Sequence, residues 1–449
     1  KKKTLCRKLV SIFAAVTLMV TALAPTGAFF LPAQAESGIE TLVNVTLGDV
    51  NDDQKINAED ALMMLQHSVE LRSLTGLQCN VDGSAEVDAA DALLALQHSV
   101  QLIQAFPNEE EYTAKMDELL NPGKTLRFRE NGEFKILHLS DLHNNVNPNG
   151  FYQETADLIR DLLDETDPDL VIVTGDIFFT NYGSDPEENH RLDRMILEGL
   201  NAVFEERQVP WCTTFGNHDT DGTPKLQQME FYASFPLCLT EAGYTVGGRV
   251  GNYVVPVVSS DGSDIAFNVW AVDTGAYTGN SDDMWECILK EQIDWYKATS
   301  QEYETINHGK VPGAMFGHIP LPEFQEILDH PVETGMVGVN HEAICCPKAN
   351  SGMFDAILER GDVRGFYCGH DHINNYSGIY KGIELAYAGS LNYDSYGGYF
   401  SSEAEYRSIA GGRLLTIHED NAEKVDSRFV GCENIRNNTD RQTTETPAA

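Results

Sequence analysis

The sequence predicts an α/β chain: a large domain over residues 126–432, in which apolar strands alternate with helices, preceded by a small all-α domain over 46–106. Three observations carry that expectation. From Phe134 onward, apolar runs of strand length alternate with segments of helical periodicity, the pattern of parallel strands joined by crossover helices. Five of those runs end in short polar motifs holding Asp, Asn or His, at the strand ends where open α/β sheets carry their sites. Near the start, a helical segment returns after 31 residues, each copy behind an acidic loop.

In chain order, Lys1, Lys2, Lys3, Arg7 and Lys8 precede an apolar stretch from Leu9 to Leu23, which leads to Ala33-Gln34-Ala35. A basic start, an apolar middle and an A-x-A exit predict a secretory signal peptide over 1–35, hence a secreted, extracellular protein. Cys6 lies inside the basic region rather than after a small-residue lipobox, so no lipid anchor is expected. No later segment reaches the roughly 20 apolar residues that span a bilayer, so no membrane anchor is expected either.

The 449 residues carry a formal net charge of −38, with 31 basic and 69 acidic side chains. The first 35 residues hold five of the basic groups and none of the acidic ones, so the remainder stands at −43. Such a field repels nucleic-acid backbones and anionic membranes, which argues against long nucleic acid as a partner. It also repels a phosphate substrate unless bound cations reverse the sign locally. Hydrophobic residues make up 42% of the chain, enough for a sizeable core, which excludes bulk disorder. Beyond Cys6, the eight cysteines show no short paired spacing of a zinc ribbon or a disulfide framework. Cys212 and Cys368 fall inside apparent core strands, and the adjacent Cys345 and Cys346 have no assignment.

The repeat runs from Asp60 to Val69 and again from Asp91 to Val100. In the preceding loops, Asp49, Asn51, Asp53, Asn57 and Asp60 fall at positions 1, 3, 5, 9 and 12, with the Lys55 carbonyl at 7. Asn80, Asp82, Ser84, Asp88 and Asp91 repeat that spacing, with the Glu86 carbonyl at 7. Calcium takes six to eight hard oxygens, which one curled loop can supply in this alternation, so two Ca2+ are expected. Residues 46–106 resemble a dockerin of the cellulosome type, whose half EF-hands end the loop in Asp. The resemblance implies a cohesin module of a scaffold protein as partner, contacted through Ala58-Glu59, Ala89-Ala90, Leu65-Gln66 and Leu96-Gln97. Gln54 and Ala85 depart from the family's Gly at position 6. Residues 107–125 read as a polar linker, and 433–449, rich in Asn, Thr, Glu and Pro, as a disordered tail.

The large domain supplies the chemistry. Its strands end in Asp141-Leu142-His143, Gly175-Asp176, Gly216-Asn217-His218-Asp219, Gly317-His318 and Gly369-His370-Asp371-His372. Singly, each is an ordinary strand-end polar group. The ordered set resembles the calcineurin-like metallophosphoesterase superfamily over about 290 residues. Lys135 to Asp141, His318 to Pro322 and Cys368 to His372 are most similar to its purple-acid-phosphatase-related branch with a D-x-H start.

That resemblance implies a four-layer αββα fold and two transition-metal ions, Fe, Mn or Zn. Asp141, His143 and His372 would hold one metal; Asn217, His318 and His370 would hold the other; Asp176 would bridge both. Two such cations share and activate one hydroxide and neutralise the phosphate. His218, not a ligand, would protonate the leaving oxygen or clamp developing charge. Two departures stand out at Phe179. Purple acid phosphatases have a Tyr ligand there, so no tyrosinate colour is expected. Phosphoprotein phosphatases have an Asp there that orients the catalytic His, and that partner is expected to be missing.

The expected function is hydrolysis of a phosphate monoester on a phosphorylated small molecule. A phosphodiesterase for small nucleotides, or a degenerate, non-catalytic dockerin-borne module, remain the alternatives. Specificity is expected in loops 177–190, 274–286 and 340–352, which carry no readable substrate signal.

Overall fold

The computed structural model describes residues 47–51, 55–69, 71, 79–84, 87–109, 126–145, 151–179, 183–262, 264–307, 309–391 and 409–432. The expected signal peptide, Asp53, Gln54, Ala85, Glu86, most of the expected linker and the tail lie outside the described residues. The chain divides into two compact units, Lys1–Gly123 with Gln301–Gly309, and Lys124–Ser300 with Lys310–Ala449.

In the first unit, α1 (Ala58–Ser68) and α2 (Ala89–Ser99) are the two copies of the repeat. Both start in the same way. Asn57 and Asp88 accept from the amides of Glu59 and Ala90, while Asp60 and Asp91 reach back to the amides of Asn57 and Asp88. This reciprocal cap satisfies amide donors that a helix start leaves open. Ala61, Met64, Ala92 and Ala95 face a small core with Leu47, Val50, Val81 and Phe106.

The second unit begins with β1 (Leu126–Arg127), β2 (Glu133–Leu139), β3 (Asn144–Asn145), α3 (Gln153–Thr166), β4 (Leu170–Thr174), β5 (Phe178–Phe179), α4 (Pro186–Glu206), β6 (Trp211–Thr214) and α5 (Lys225–Ser234). It continues through β7 (Tyr244–Val246), β8 (Arg249–Val258), β9 (Ile265–Ala271), the hairpin β10 (Tyr277–Asn280) and β11 (Asp283–Trp285), and α6 (Lys290–Ile306), of which the part up to Ser300 belongs to this unit. Then come β12 (Gly313–Phe316), α7 (Phe324–Asp329), α8 (Met353–Arg360), β13 (Val363–Cys368), β14 (Ser377–Tyr380), β15 (Ile383–Tyr387), β16 (Gly411–His418) and β17 (Val425–Gly431).

Two sheets form the frame. One runs β17-β16-β2-β4-β6; the other runs β1-β8-β9-β12-β13-β15-β14, with β7 beside β8. Strand alternation explains how they pack. Phe134, Ile136, Leu170, Ile172, Leu415 and Ile417 from the first sheet meet Val255, Val257, Phe267, Val269, Ala314 and Phe316 from the second. The intervening residues Leu137, Leu139, Val171 and Val173 point the other way, against Ile159, Leu162, Ile196 and Leu200 of α3 and α4. On the outer face of the second sheet, Trp270 meets Tyr296 of α6 at 5.1 Å and Phe366 meets Phe324 of α7 at 6.5 Å. Helices therefore cover both outer faces, in four layers. β2, β4 and β6 are mutually parallel, as are β12 and β13, so their C-terminal ends can converge. Among the described residues no helix is long and apolar enough to cross a membrane.

Candidate metal centre

Each of the five parallel strands hands a motif to the same place. The chain turns sharply at four of the donors: Asp141, His143, Asp176 and His370 have φ of 53°, 41°, 48° and 74°. A non-glycine residue in this left-handed region costs roughly 1–2 kcal/mol, so each turn needs bonds that hold it. The amide of Asp141 donates to Gly175 O, that of His143 to Asp176 O at 2.9 Å, and that of His370 to Asp141 Oδ2 at 2.9 Å. Asp219 takes the amides of Asp176, Ile177 and Gly216 at 2.7–2.8 Å. The glycines of the motifs have a steric reason: a Cβ on Gly216 would collide with Asp176, and one on Gly369 with Ser140 and Asp141.

The side chains converge in two groups that share Asp176. Asp141, His143, Asp176 and His372 bring their donor atoms within 4.8 Å of one another, and so do Asp176, His318 and His370. Asp176 Oδ2 lies 3.5 Å from His143 Nε2 and 3.2 Å from His318 Nε2. His143 Nε2 and His372 Nε2 face each other at 2.9 Å. His372 Nε2 is 3.3 Å from Asp141 Oδ1, and His370 Nδ1 is 3.2 Å from His318 Nε2. Asn217 turns its carbonyl oxygen to His318 Nε2 at 3.1 Å. All seven expected metal-site residues are thus brought together.

The electrostatics suit cations. Burial would raise both carboxylates, but His372 and His143 hold Asp141, and His318 and His143 hold Asp176, below the usual carboxylate range. Burial disfavours a charged His318, yet Asp176 outweighs it and lifts the imidazole to about 10. Burial, helped by the His318 charge, pushes His370 down to about 3. Among the described residues, buried Asp141 Oδ1, despite His372 Nε2 at 3.3 Å, and His370 Nε2 make no hydrogen bond, an expensive condition unless a further group completes the site. The set of two carboxylates, four imidazoles and one amide oxygen fits a pair of borderline transition-metal ions, the donor types N and O admitting iron, manganese or zinc.

His218 sits beside these groups, its ring centroid 5.3 Å from that of His143. Its expected lack of an orienting carboxylate is corrected here: Asp221 Oδ2 lies 2.8 Å from His218 Nδ1. The partner comes from three residues later in the same loop rather than from position 179, where Phe179 pairs in β5 with Asn145. Burial works against a protonated His218, but Asp221 and Asp176 overcome it and raise the imidazole. The His-x-x-Asp spacing was visible in the sequence, though nothing there fixed the turn that closes it.

Sequence reasoning also passed over Tyr277 and Trp285 on the β10–β11 hairpin. Tyr277 Oη accepts from Asn217 Nδ2 at 2.8 Å and lies 3.1 Å from His218 Nε2. Trp285 meets His370 edge-on at 4.2 Å between centroids. No ligand spacing marks a hairpin of this kind.

In the small unit, Asp82, Asp88 and Asp91 bring carboxylate oxygens within 4.8 Å of one another. Asp60 and Asp91 also receive amides of their own loops: Val50 and Asn51 donate to Asp60, Val81 and Asp82 to Asp91. Asn80 Oδ1 takes the Gly83 amide and Asp82 Oδ1 that of Ser84. Asp49 is buried, while Asn51 and Lys55 lie at or near the surface of the first loop.

Among curated proteins, "Probable inactive purple acid phosphatase 14" of Arabidopsis thaliana is 30% identical over 311 residues, 61% of this chain and 74% of its own length. "Probable inactive purple acid phosphatase 29" of the same plant is 31% identical over 308 residues, 61% and 76% of the two chains. "Phosphatase DCR2" of Saccharomyces cerevisiae is 28% identical over 280 residues, 56% and 46%. Among solved structures, a dimetal phosphatase from Danio rerio covers 67% of this chain and 96% of its own, at 13% identity and a TM-score of 0.43. The family described as calcineurin-like phosphoesterase matches residues 134–374, just over half of the chain and every residue of the centre. With that match and that set of converging donors, the chain belongs to the calcineurin-like phosphoesterase family.

Proposed function

We propose that this protein is an active two-metal phosphoesterase that hydrolyses phosphate monoesters. The observation that carries the reading is the position of Asp176, whose one carboxylate reaches both donor groups. In the proposed assignment Asp141, His143 and His372 would hold one cation and Asn217, His318 and His370 the other, with Asp176 placed to serve both. A cation pair supplies neutralisation of the phosphate and a water activated for attack. The chain's own groups do the rest. The Asp221 bond to Nδ1 fixes the His218 ring so that Nε2 faces the reacting ester. When the phosphorus–oxygen bond breaks, Nε2 gives its proton to the leaving oxygen. The plant relatives carry "inactive" in their names and the yeast relative "Phosphatase". The complete donor set and the His218–Asp221 pair support the active reading for this chain.

The test combines metal analysis with turnover. The protein should bind two transition-metal equivalents and cleave phosphomonoesters faster than diesters. Asp176→Asn should lose at least one equivalent and all turnover while keeping its circular dichroism. Wild-type turnover in that variant would remove Asp176 from the shared position.

The small unit supports a second part of the reading: a calcium-loaded dockerin that attaches a secreted enzyme to a cohesin scaffold. The identically capped α1 and α2 and the clustered Asp82, Asp88 and Asp91 favour it. Capture of a cohesin in calcium, and its loss in EGTA, is the direct assay.

A further inference from the structure

The hairpin β10–β11 stands at the mouth of the centre, and its base is fixed by several bonds. The Gly275 amide donates to Asp273 Oδ1 at 2.9 Å, the Ala276 amide to Glu286 Oε2 at 3.0 Å, and the Glu286 amide back to Ala276 O at 2.9 Å. Buried Arg249 pairs with Glu286 at 2.7 Å, and buried Lys225 pairs with Asp273. The outer end is also tied, by the Lys348 amide to Asp283. A strut this well braced places its aromatic side chains with little freedom, which is what orientation of a bound group requires.

Two of those side chains lie against residues of the centre, Tyr277 against Asn217 and His218 and Trp285 against His370. Tyr277 is 46% exposed, so its ring is open to an incoming molecule. Its phenol oxygen already accepts from Asn217 Nδ2 and lies within reach of the Nε2–H of a protonated His218, so its own hydrogen is available to a substrate oxygen. The Asn217 bond also fixes the amide with its oxygen towards His318. The half-buried Trp285 packs 5.0 Å from Tyr277 and continues the aromatic surface to His370. Because Nε2 of His218 is the atom that meets the leaving oxygen, the alcohol must depart alongside these rings.

We infer that Tyr277 and Trp285 form the alcohol-binding wall of the site: Tyr277 donates to an ester oxygen, Trp285 stacks on the alcohol, and the favoured substrates are aryl phosphoesters. The inference rests on the phosphoesterase reading. Aliphatic esters fit the same centre but leave the wall uncovered. Tyr277 thereby acts twice, on the substrate through its hydroxyl hydrogen and on Asn217 through its oxygen.

Calorimetry on the manganese-loaded full chain tests this without relying on turnover, using phenylphosphonate, ethylphosphonate and inorganic phosphate. The phenyl compound should bind about 3- to 10-fold more tightly than the ethyl one, as aromatic stacking gives. Trp285→Ala should abolish that preference, the loss of the stacking surface, with metal content measured alongside because the indole also packs on His370. Tyr277→Phe should keep the preference but weaken inorganic phosphate, which has an oxygen in the ester position, about 10-fold, the loss of a hydrogen bond to a charged group. The same variants should lower kcat/KM for 4-nitrophenyl phosphate more than for glycerol phosphate in the case of Trp285→Ala, and for both in the case of Tyr277→Phe. Equal affinity for the two phosphonates in the wild type, or a preference that survives Trp285→Ala, would overturn the inference while leaving the phosphoesterase reading intact. No binding of inorganic phosphate at all, with two metals present, would overturn both.

Discussion

His218 shows how one side chain acquires a direction. Its ring is 23% exposed, and the Asp221 bond at Nδ1 leaves Nε2 to the reacting ester. His218→Ala should lower kcat by about 10²–10⁴ with metal content near normal, the usual span for lost proton transfer. The loss should shrink for good leaving groups such as nitrophenol; a uniform loss would instead assign His218 to charge stabilisation. Asp221→Asn should act more gently and shift a pH profile. Asp221 helps raise His218, and an acid works only while protonated, so removing that charge should move the alkaline fall of kcat to lower pH. A fixed alkaline limb would disconnect the pair. His138 presents the opposite case. It is buried between the sheets, bonded to Thr174 Oγ1 at 2.8 Å, and burial together with Arg413 pushes it down to about 3. A histidine whose folded value lies below its unfolded 6.5 contributes stability above pH 6.5 and loses it as pH falls towards 3. The slope is about 1.4 kcal/mol per pH unit for one group. Urea midpoints of His138→Phe should fall less steeply over that range than those of the wild type.

At the scale of elements, what the sequence exposed and what it hid follow a physical divide. β2, β4, β6, β12 and β13 were legible because each is a buried apolar run ended by a polar motif, too short for a buried helix and bounded by turn residues. α1 and α2 were legible because they are repeated. The short edge strands β7, β10, β11 and β14 were not, since their exposed and mixed residues match no period; all four residues of β10 are exposed. The same difference separates the seven metal-site residues, each in a motif with its own spacing, from Asp221, Tyr277 and Trp285, which become neighbours through a turn and a hairpin. In the small unit, Asp60 and Asp91 serve their loops as amide acceptors and their helices as caps. In the proposed dockerin reading, calcium would have to compete for oxygens that already hold the fold together. Asp60→Ala should therefore destabilise α1 by about 1 kcal/mol through loss of half its capping box, lowering helicity even in EGTA, and abolish the response of α1 to calcium. Equal helicity of variant and wild type in EGTA would reduce Asp60 to a ligand alone.

The whole molecule places its centre on a seam. Asp141, Asp176 and Asn217 follow strands of the first sheet, whereas His318, His370 and His372 follow strands of the second. Arg413, buried in β16 of the first sheet, reaches across the same seam to the carbonyls of Tyr387 and Asn375 at 2.8 Å. The layered architecture was readable in the sequence through the family resemblance. The pairing of the late strand β16 with the early β2 was not, since 279 positions separate their partners Leu415 and Ile136, and no local pattern encodes so distant a match. The seam has a consequence for durability. Among the described residues no two cysteines are joined in a disulfide, so no sulfur bridge ties distant parts of the chain there. Cations held between residue 141 and residue 372 would close a very long loop, the kind of cross-link that removes most entropy from an unfolded chain. Metals would then do for this protein what disulfides do for many exported enzymes. EDTA should lower its melting temperature by several degrees and open it to protease, while dithiothreitol should leave both unchanged.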